Sequence, residues 1–181
     1  HILSRIDFTR DLHFYTQTTI DTLDYSGEGL NSGSKLVLAA AGDVKRVLTT
    51  VAPKLSLAQA AYLAMPGVLC LQHSAYLSKK EATAELEALK IHLGTEQLEG
   101  IALIVLCDDA AFTAENINNL VWVTFTRSNP AVDVDGVGSF MIDKHWGCSG
   151  PLIIDARKKP HHAPELIKDP QVEQNINRFK L

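Results

Sequence analysis

Residues 100–130 read GIALIVLCDDAAFTAENINNLVWVTFTRSNP, and this stretch decides the fold. Positions 101–106 carry no polar side chain. A strand buried on both faces of a parallel sheet needs apolar groups on both sides of its pleat, so the run predicts a central strand. It closes on Asp108 and Asp109. A helix is expected next, with Thr113 as N-cap, Glu115 in the first turn and an inward stripe of Ile117, Leu120, Val121 and Thr124. Arg127 and Pro130 then open a long loop that also contains Gly136, Gly138, Gly147, Gly150 and Pro151.

Working outward, residues 36–41 form an apolar run closed by Gly42, which predicts a buried strand. Ser56 and Gln59 have capping-box spacing, predicting a short helix to position 64 that Pro66 stops. A strand is expected over 68–71. Ser78 and Glu81 repeat the capping-box spacing, and Ala82, Leu86, Leu89 and Leu93 share one helical face up to Gly94. Beyond the loop, 152–154 reads as a strand, and Asp169-Pro170 opens a last helix to position 179. Alternating strands and helices imply an α/β fold, a three-layer αβα sandwich with a mainly parallel sheet. In such sheets ligands gather at the carboxyl ends of the strands, which places Asp108, Asp109 and the loop after Arg127 at the functional edge.

Residues 1–35 show no sustained period and end in a Gly, Ser and Asn-rich run over 25–34. A short strand is expected over 14–20. The segment reads as an arm or linker from a preceding domain, with 36–181 as the α/β domain. His1 is followed by no basic or apolar leader, so no secretory signal is expected, and the chain reads as cut from a longer protein. A net charge of -4 over 181 residues provides no basic face for nucleic acid. The uncharged stretch 55–78 is interrupted by Gln59, Pro66, Gly67, Gln72 and His73, so no transmembrane segment is expected. Three separated cysteines, Cys70, Cys107 and Cys148, exclude a complete disulfide framework and suit a reducing cytoplasm.

Several residue groups are candidates for chemistry. Asp108 and Asp109 either act on a cation, a hydroxyl or a proton, or meet backbone N–H groups at a helix start. Arg127 either compensates the helix dipole or grips a carboxylate or phosphate. In DKHWGC, residues 143–148, Lys144, His145 and Trp146 combine a base, a proton carrier and an aromatic anchor. His145 and Cys148 lack a second matching pair for zinc, and nothing in the sequence activates Cys148 as a nucleophile. DARKKPHHAP, residues 155–164, reads as a solvated connector or a cleft-lining loop. GVGS at 136–139 is no dinucleotide fingerprint.

The run IVLCDDAAFTAENINNLVWVTFTRSNPAVD resembles the C-terminal domain of UbiD-type decarboxylases, the 3-polyprenyl-4-hydroxybenzoate carboxy-lyase family, through Cys107-Asp108-Asp109, Val121-Trp122, Thr126-Arg127 and Asn129-Pro130. GVGSFMIDKHWGCSGPLIIDARKKPHHAP and IDFTRDLHFYTQTTIDTLDYSG resemble a longer, 4-hydroxybenzoate decarboxylase-like subgroup. The resemblance implies decarboxylation of an aromatic or α,β-unsaturated carboxylic acid, in ubiquinone biosynthesis or aromatic acid metabolism. It implies prenylated FMN as electron sink, with a divalent metal, commonly manganese, and potassium nearby. The family's Glu-Arg-Glu catalytic set and its Asn, His and Glu metal ligands belong to a preceding flavin-binding domain. No residue here therefore receives a catalytic, flavin or metal role, and the isolated chain is expected to be inactive. This region is expected to form a lid with Asp108, Asp109, Arg127, Lys144, His145 and Trp146 lining the cleft, and to make homo-oligomer contacts. The alternative is a noncatalytic assembly module.

Overall fold

The computed structural model describes residues 1–24, 26, 27, 29, 32–57, 59–163 and 169–178. In chain order its elements are α1 (Ile2–Arg5), β1 (Leu12–Thr18), β2 (Gly33–Leu38), β3 (Ala61–Met65), β4 (Val68–Gln72), α2 (Lys79–Leu93), β5 (Leu103–Cys107), α3 (Ala110–Glu115) and α4 (Ile117–Thr126). There follow α5 (Pro130–Asp133), β6 (Val134–Gly136), β7 (Ser139–Ile142), β8 (His145–Cys148), β9 (Leu152–Asp155) and α6 (Pro170–Asn177).

The apolar run does form the central strand. β5 lies in a five-stranded sheet of order β3-β4-β5-β9-β6, parallel to β4 and β9. Successive side chains alternate faces, so each strand supplies two cores. Leu69, Leu71, Ile104, Leu106 and Ile153 cluster with Leu89 and Leu93 of α2. Val68, Cys70, Val105 and Cys107 cluster with Ala110 of α3 and Leu120 and Val123 of α4. Burying each of the larger side chains contributes roughly 1.5–3 kcal/mol, so the two faces together hold the sheet in place.

The α/β class is as expected, but the sheet is mixed rather than mainly parallel, because both edges run antiparallel. β3 pairs antiparallel with β4, and β6 antiparallel with β9. The expected helix at 56–64 is thus replaced by β3. Ser56 caps no helix: its backbone N–H and hydroxyl both bond to Glu96, and the hydroxyl also meets His92 Nε2 at 2.8 Å. Ala58 lies outside the described residues. Pro66 and Gly67 turn the chain between β3 and β4, and Gly67 has φ +74°. A Cβ there would sit 2.9 Å from Gly100 O, so the turn needs glycine both for its left-handed backbone and for that close approach.

The serine cap of α2 forms as expected, with Ser78 Oγ accepting from Glu81 N, and the Glu81 carboxylate takes the Ser78 hydroxyl at 2.7 Å. The helix after β5 is instead broken in two, capped by Asp109 and Asn116 rather than Thr113. Thr113 lies inside α3 with its hydroxyl on Asp109 O at 2.6 Å. Leu120, Val123 and Thr124 face inward, while Ile117 and Val121 face solvent. The expected long loop after Arg127 contains α5, β6 and the β7-β8 hairpin. Asp169 caps α6 through Gln171 N and Val172 N; position 179 lies outside the described residues.

The run at 36–41 is not part of the main sheet. β2 pairs antiparallel with β1 in its own two-stranded sheet, and Val37 is exposed. Tyr25, Glu28, Leu30 and Asn31, within the expected loop at 25–34, lie outside the described residues, and Gly33 and Ser34 belong to β2. The N-terminal segment packs on the later part of the chain. Ile6, Phe8 and Leu12 are buried with Ala102, Cys148 and Leu152, and Cys148 N donates to Phe8 O at 3.0 Å.

Candidate functional site

The carboxyl ends of β4, β5 and β9 share one edge of the sheet, so whatever follows each strand meets there. After β5, Asp108 Oδ2 accepts from Arg127 Nη1 at 3.2 Å and from Lys158 N at 2.9 Å. Arg127 ends α4 and lies 5.0 Å from the centre of the Trp122 ring. The guanidinium is therefore held by a carboxylate on one side and an aromatic face on the other. Asp109 takes the capping alternative, its Oδ1 accepting from Phe112 N at 2.9 Å. With Phe112, Val123 and Lys158, these residues line an open concavity of about 330 Å³.

Lys144, His145 and Trp146 lie elsewhere. Asp143 and Lys144 turn β7 into β8 with φ of 49° and 66°, the left-handed pair that a two-residue hairpin requires. His145 Nε2 donates to Thr9 O at 2.9 Å, which fixes the proton on that nitrogen because a carbonyl only accepts. Trp146 docks edge-on to Phe14, with ring centres 5.4 Å apart. Phe14, Met141, Lys144, His145 and Trp146 line a groove of about 610 Å³ between the hairpin and β1. This groove and the Asp108 concavity share no lining residue, so the six expected cleft residues fall into two sets.

The comparisons with known proteins bear on this composite site. The family model described as 3-octaprenyl-4-hydroxybenzoate carboxy-lyase C-terminal domain matches residues 1–40. A Chlamydia pneumoniae protein that carries the name of a 4-hydroxybenzoate decarboxylase subunit is 31% identical over 178 residues, spanning 97% of this chain. Both matches support a UbiD-type carboxy-lyase C-terminal domain. An uncharacterized protein of Chlamydia muridarum is 29% identical over 176 residues, and one of Chlamydia trachomatis serovar D is 30% identical over 175. The chain spans about 29% of the length of these relatives.

A buried electrostatic cluster lies over residues 155–159 of the segment 155–164, whose position 164 lies outside the described residues. Asp155, Arg157 and Lys159 are all buried, Arg157 completely, so this part of the segment is no solvated connector. Arg157 Nη1 reaches Glu85 Oε2 at 2.7 Å, Ser74 O at 2.9 Å and His73 Nδ1 at 3.2 Å. Lys159 Nζ donates to Arg127 O at 2.8 Å and Asp155 O at 2.9 Å, and lies 3.3 Å from Asp133 Oδ1. Lys159 thus ties the end of α4 to the end of β9. Burial alone would raise the Asp155 carboxyl, but Arg157 and Lys159 outweigh it and hold it below the usual range. Burial and the Arg157 charge push His73 down, while burial raises Asp133 despite its Lys159 partner.

The sequence does carry a signal for this cluster. Charges at 155, 157 and 159 alternate directly after an apolar strand, which points them to one side of extended chain at a carboxyl edge. Cys148 is a poor nucleophile, since burial pushes its thiol up to about 12. It donates to Gly150 O at 3.5 Å. Among the described residues no group of three or more His, Cys, Asp or Glu is placed to hold a metal ion. The described residues thus supply no cluster that would hold a metal ion. No described helix is long and apolar enough to cross a membrane.

Proposed function

We propose that the chain is the C-terminal lid and assembly region of a UbiD-like decarboxylase that acts on an aromatic or α,β-unsaturated carboxylic acid. Prenylated FMN, with manganese and potassium, would be bound by the flavin-binding domain of the longer protein, and that cofactor supplies the electron sink. The observation that carries this reading is the relative named for 4-hydroxybenzoate decarboxylase, which this chain matches along 97% of its own length but only 29% of the relative's. The layered αβα build serves as a rigid plate whose carboxyl edge faces the cofactor. The role of this chain's residues is positional: Arg127, locked by Asp108 and Trp122, presents fixed positive charge toward an anionic substrate, and Lys144 to Trp146 close the second groove. Three buried free thiols fit a reducing cytoplasm.

The test is turnover of the longer protein carrying Arg127→Ala and His145→Ala together. An increase in KM of about tenfold or more, as expected for loss of a charged contact, supports the lid. Unchanged turnover and substrate range contradict it. The assembly role is favoured by a separate observation, an apolar helix face open to solvent.

A further inference from the structure

The groove between β1 and the β7-β8 hairpin runs along a strand edge. Five consecutive residues of β1, from Leu12 to Thr16, line it. Side chains of an extended chain alternate between faces, so five in a row border one groove only if it follows the backbone itself. β1 pairs with β2 alone, in a two-stranded sheet. In that antiparallel ladder every second residue turns its N–H and C=O away from β2, toward the groove. The regular edge ends beyond Tyr15, where the register shifts and Gln17 takes φ 55°. The far wall is β8. The two backbones meet at Phe8, whose carbonyl accepts from Cys148 N at 3.0 Å. Gly147 permits this approach, since a Cβ there would lie 2.9 Å from Phe8 O. Beyond that point the described residues of β1 and β8 form no ladder, and Trp146, edge-on to Phe14, lines the gap.

The lining selects the occupant. Alternating backbone donors and acceptors are complemented best by another extended backbone, and Phe14, Met141 and Trp146 offer apolar surface to its side chains. At roughly 3.3 Å per residue, the border matches about five residues of strand. The ionisable groups that line the groove are His13, Lys144 and His145, and none of its lining residues is acidic. Lys35, cross-strand from Tyr15 and so on the same face, adds a second ammonium. Asp143 of the hairpin turn does not line the groove. The complement is an extended segment in which apolar and acidic side chains alternate.

We infer that this groove binds an acidic extended segment of a separate partner protein, which adds to the free edge of β1 as a third strand. The inference goes beyond the proposed function, and binding read on the chain alone tests it apart from turnover. The chain has two tryptophans, so in Trp122→Phe the emission of Trp146 is read by itself. A blocked Val-Glu-Val-Glu-Val peptide should shift that emission saturably with Kd below about 1 mM, and should slow hydrogen exchange at residues 12–16. The Val-Lys-Val-Lys-Val peptide should bind at least about tenfold more weakly, and Lys144→Glu, at an exposed turn position, should reverse the preference. No emission shift and no protection overturn the inference, as does equal binding of the two peptides. Protection of residues 12–16 that rises with the concentration of the peptide-free chain would put a second copy in the groove and also overturns it. So does a longer protein in which these amides are already protected and the peptide is excluded, because a preceding domain would then fill the groove.

Discussion

Arg157 grips Asp155 with two nitrogens, Nε to Oδ1 at 3.0 Å and Nη2 to Oδ2 at 2.8 Å, with both side chains withdrawn from water. Two residues apart on extended chain, they form a planar fork against the end of β9. The pair is the hub through which Glu85 of α2, His73 after β4 and the backbone after β9 are fixed to one another. Removing one member of a buried pair is costly because the other is left charged and unpaired. Arg157→Met is therefore expected to lower unfolding free energy by about 3–5 kcal/mol in urea titration. Arg157→Lys should recover little, since an ammonium has no bidentate fork. A loss below about 1 kcal/mol for the methionine variant would contradict this role.

The stability of the chain should fall as pH drops from about 6.5 toward 4. His162 Nδ1 accepts from Lys159 N at 3.1 Å, and its Nε2 is buried with no hydrogen-bond partner among the described residues. Burial, then the Lys159 charge, push its pKa from 6.5 down to about 4. Above 6.5 the ring is neutral folded and unfolded alike; between 6.5 and 4 only the unfolded chain takes the proton, so stability is lost across that window. His73 acts in the same direction, and Asp133, raised by burial, opposes. Asp155, held low, adds its own loss only below its unfolded value near 3.8. His162→Asn keeps an acceptor for Lys159 N without titrating. It should reduce the difference in unfolding free energy between pH 7 and pH 4.5 by on the order of 2 kcal/mol. An unchanged slope would exclude His162 as its source.

Asp109 tests capping against chemistry. Asparagine caps a helix about as well as aspartate, whereas alanine loses about 1 kcal/mol. Asp109→Asn should leave thermal stability nearly unchanged, with Asp109→Ala lowering it by that amount. In the longer protein Asp109→Asn should retain turnover. A large drop in kcat for the asparagine variant, with stability intact, would restore a chemical role to this carboxylate.

The parts of the fold legible in sequence are those where pattern and environment agree. Residues 101–106 are apolar at every position because β5 is central and covered on both faces, and Ser78 caps α2 because its partner, Glu81 N, lies in the same helical turn. The Ser56 to Gln59 spacing misleads because Glu96, forty residues away, takes the serine instead, a contact invisible to local pattern. Apolar character alone puts Ile117 and Val121 inward, but α4 begins at Asn116 rather than Thr113, and its rotation brings Val123 to the core. Of the site, Asp108 and Arg127 are legible as a strand end and a helix end. Their separation from Lys144, His145 and Trp146 is not, since it depends on the β7-β8 hairpin packing against β1. For Arg157 the sequence offers only the every-second-position placement of Asp155, Arg157 and Lys159, which the intervening Lys158 makes read as an ordinary solvated basic run; its burial is made tolerable by Asp155 and Glu85 together.

The most direct test of the account is release of carbon dioxide from an aromatic acid in the presence of prenylated FMN and manganese, measured for the 181-residue chain and for the same chain joined to the flavin-binding domain proposed to accompany it. The account predicts release by the joined protein and none above background by the chain alone. Release by the chain alone would contradict it, as would a joined, cofactor-loaded protein that releases none.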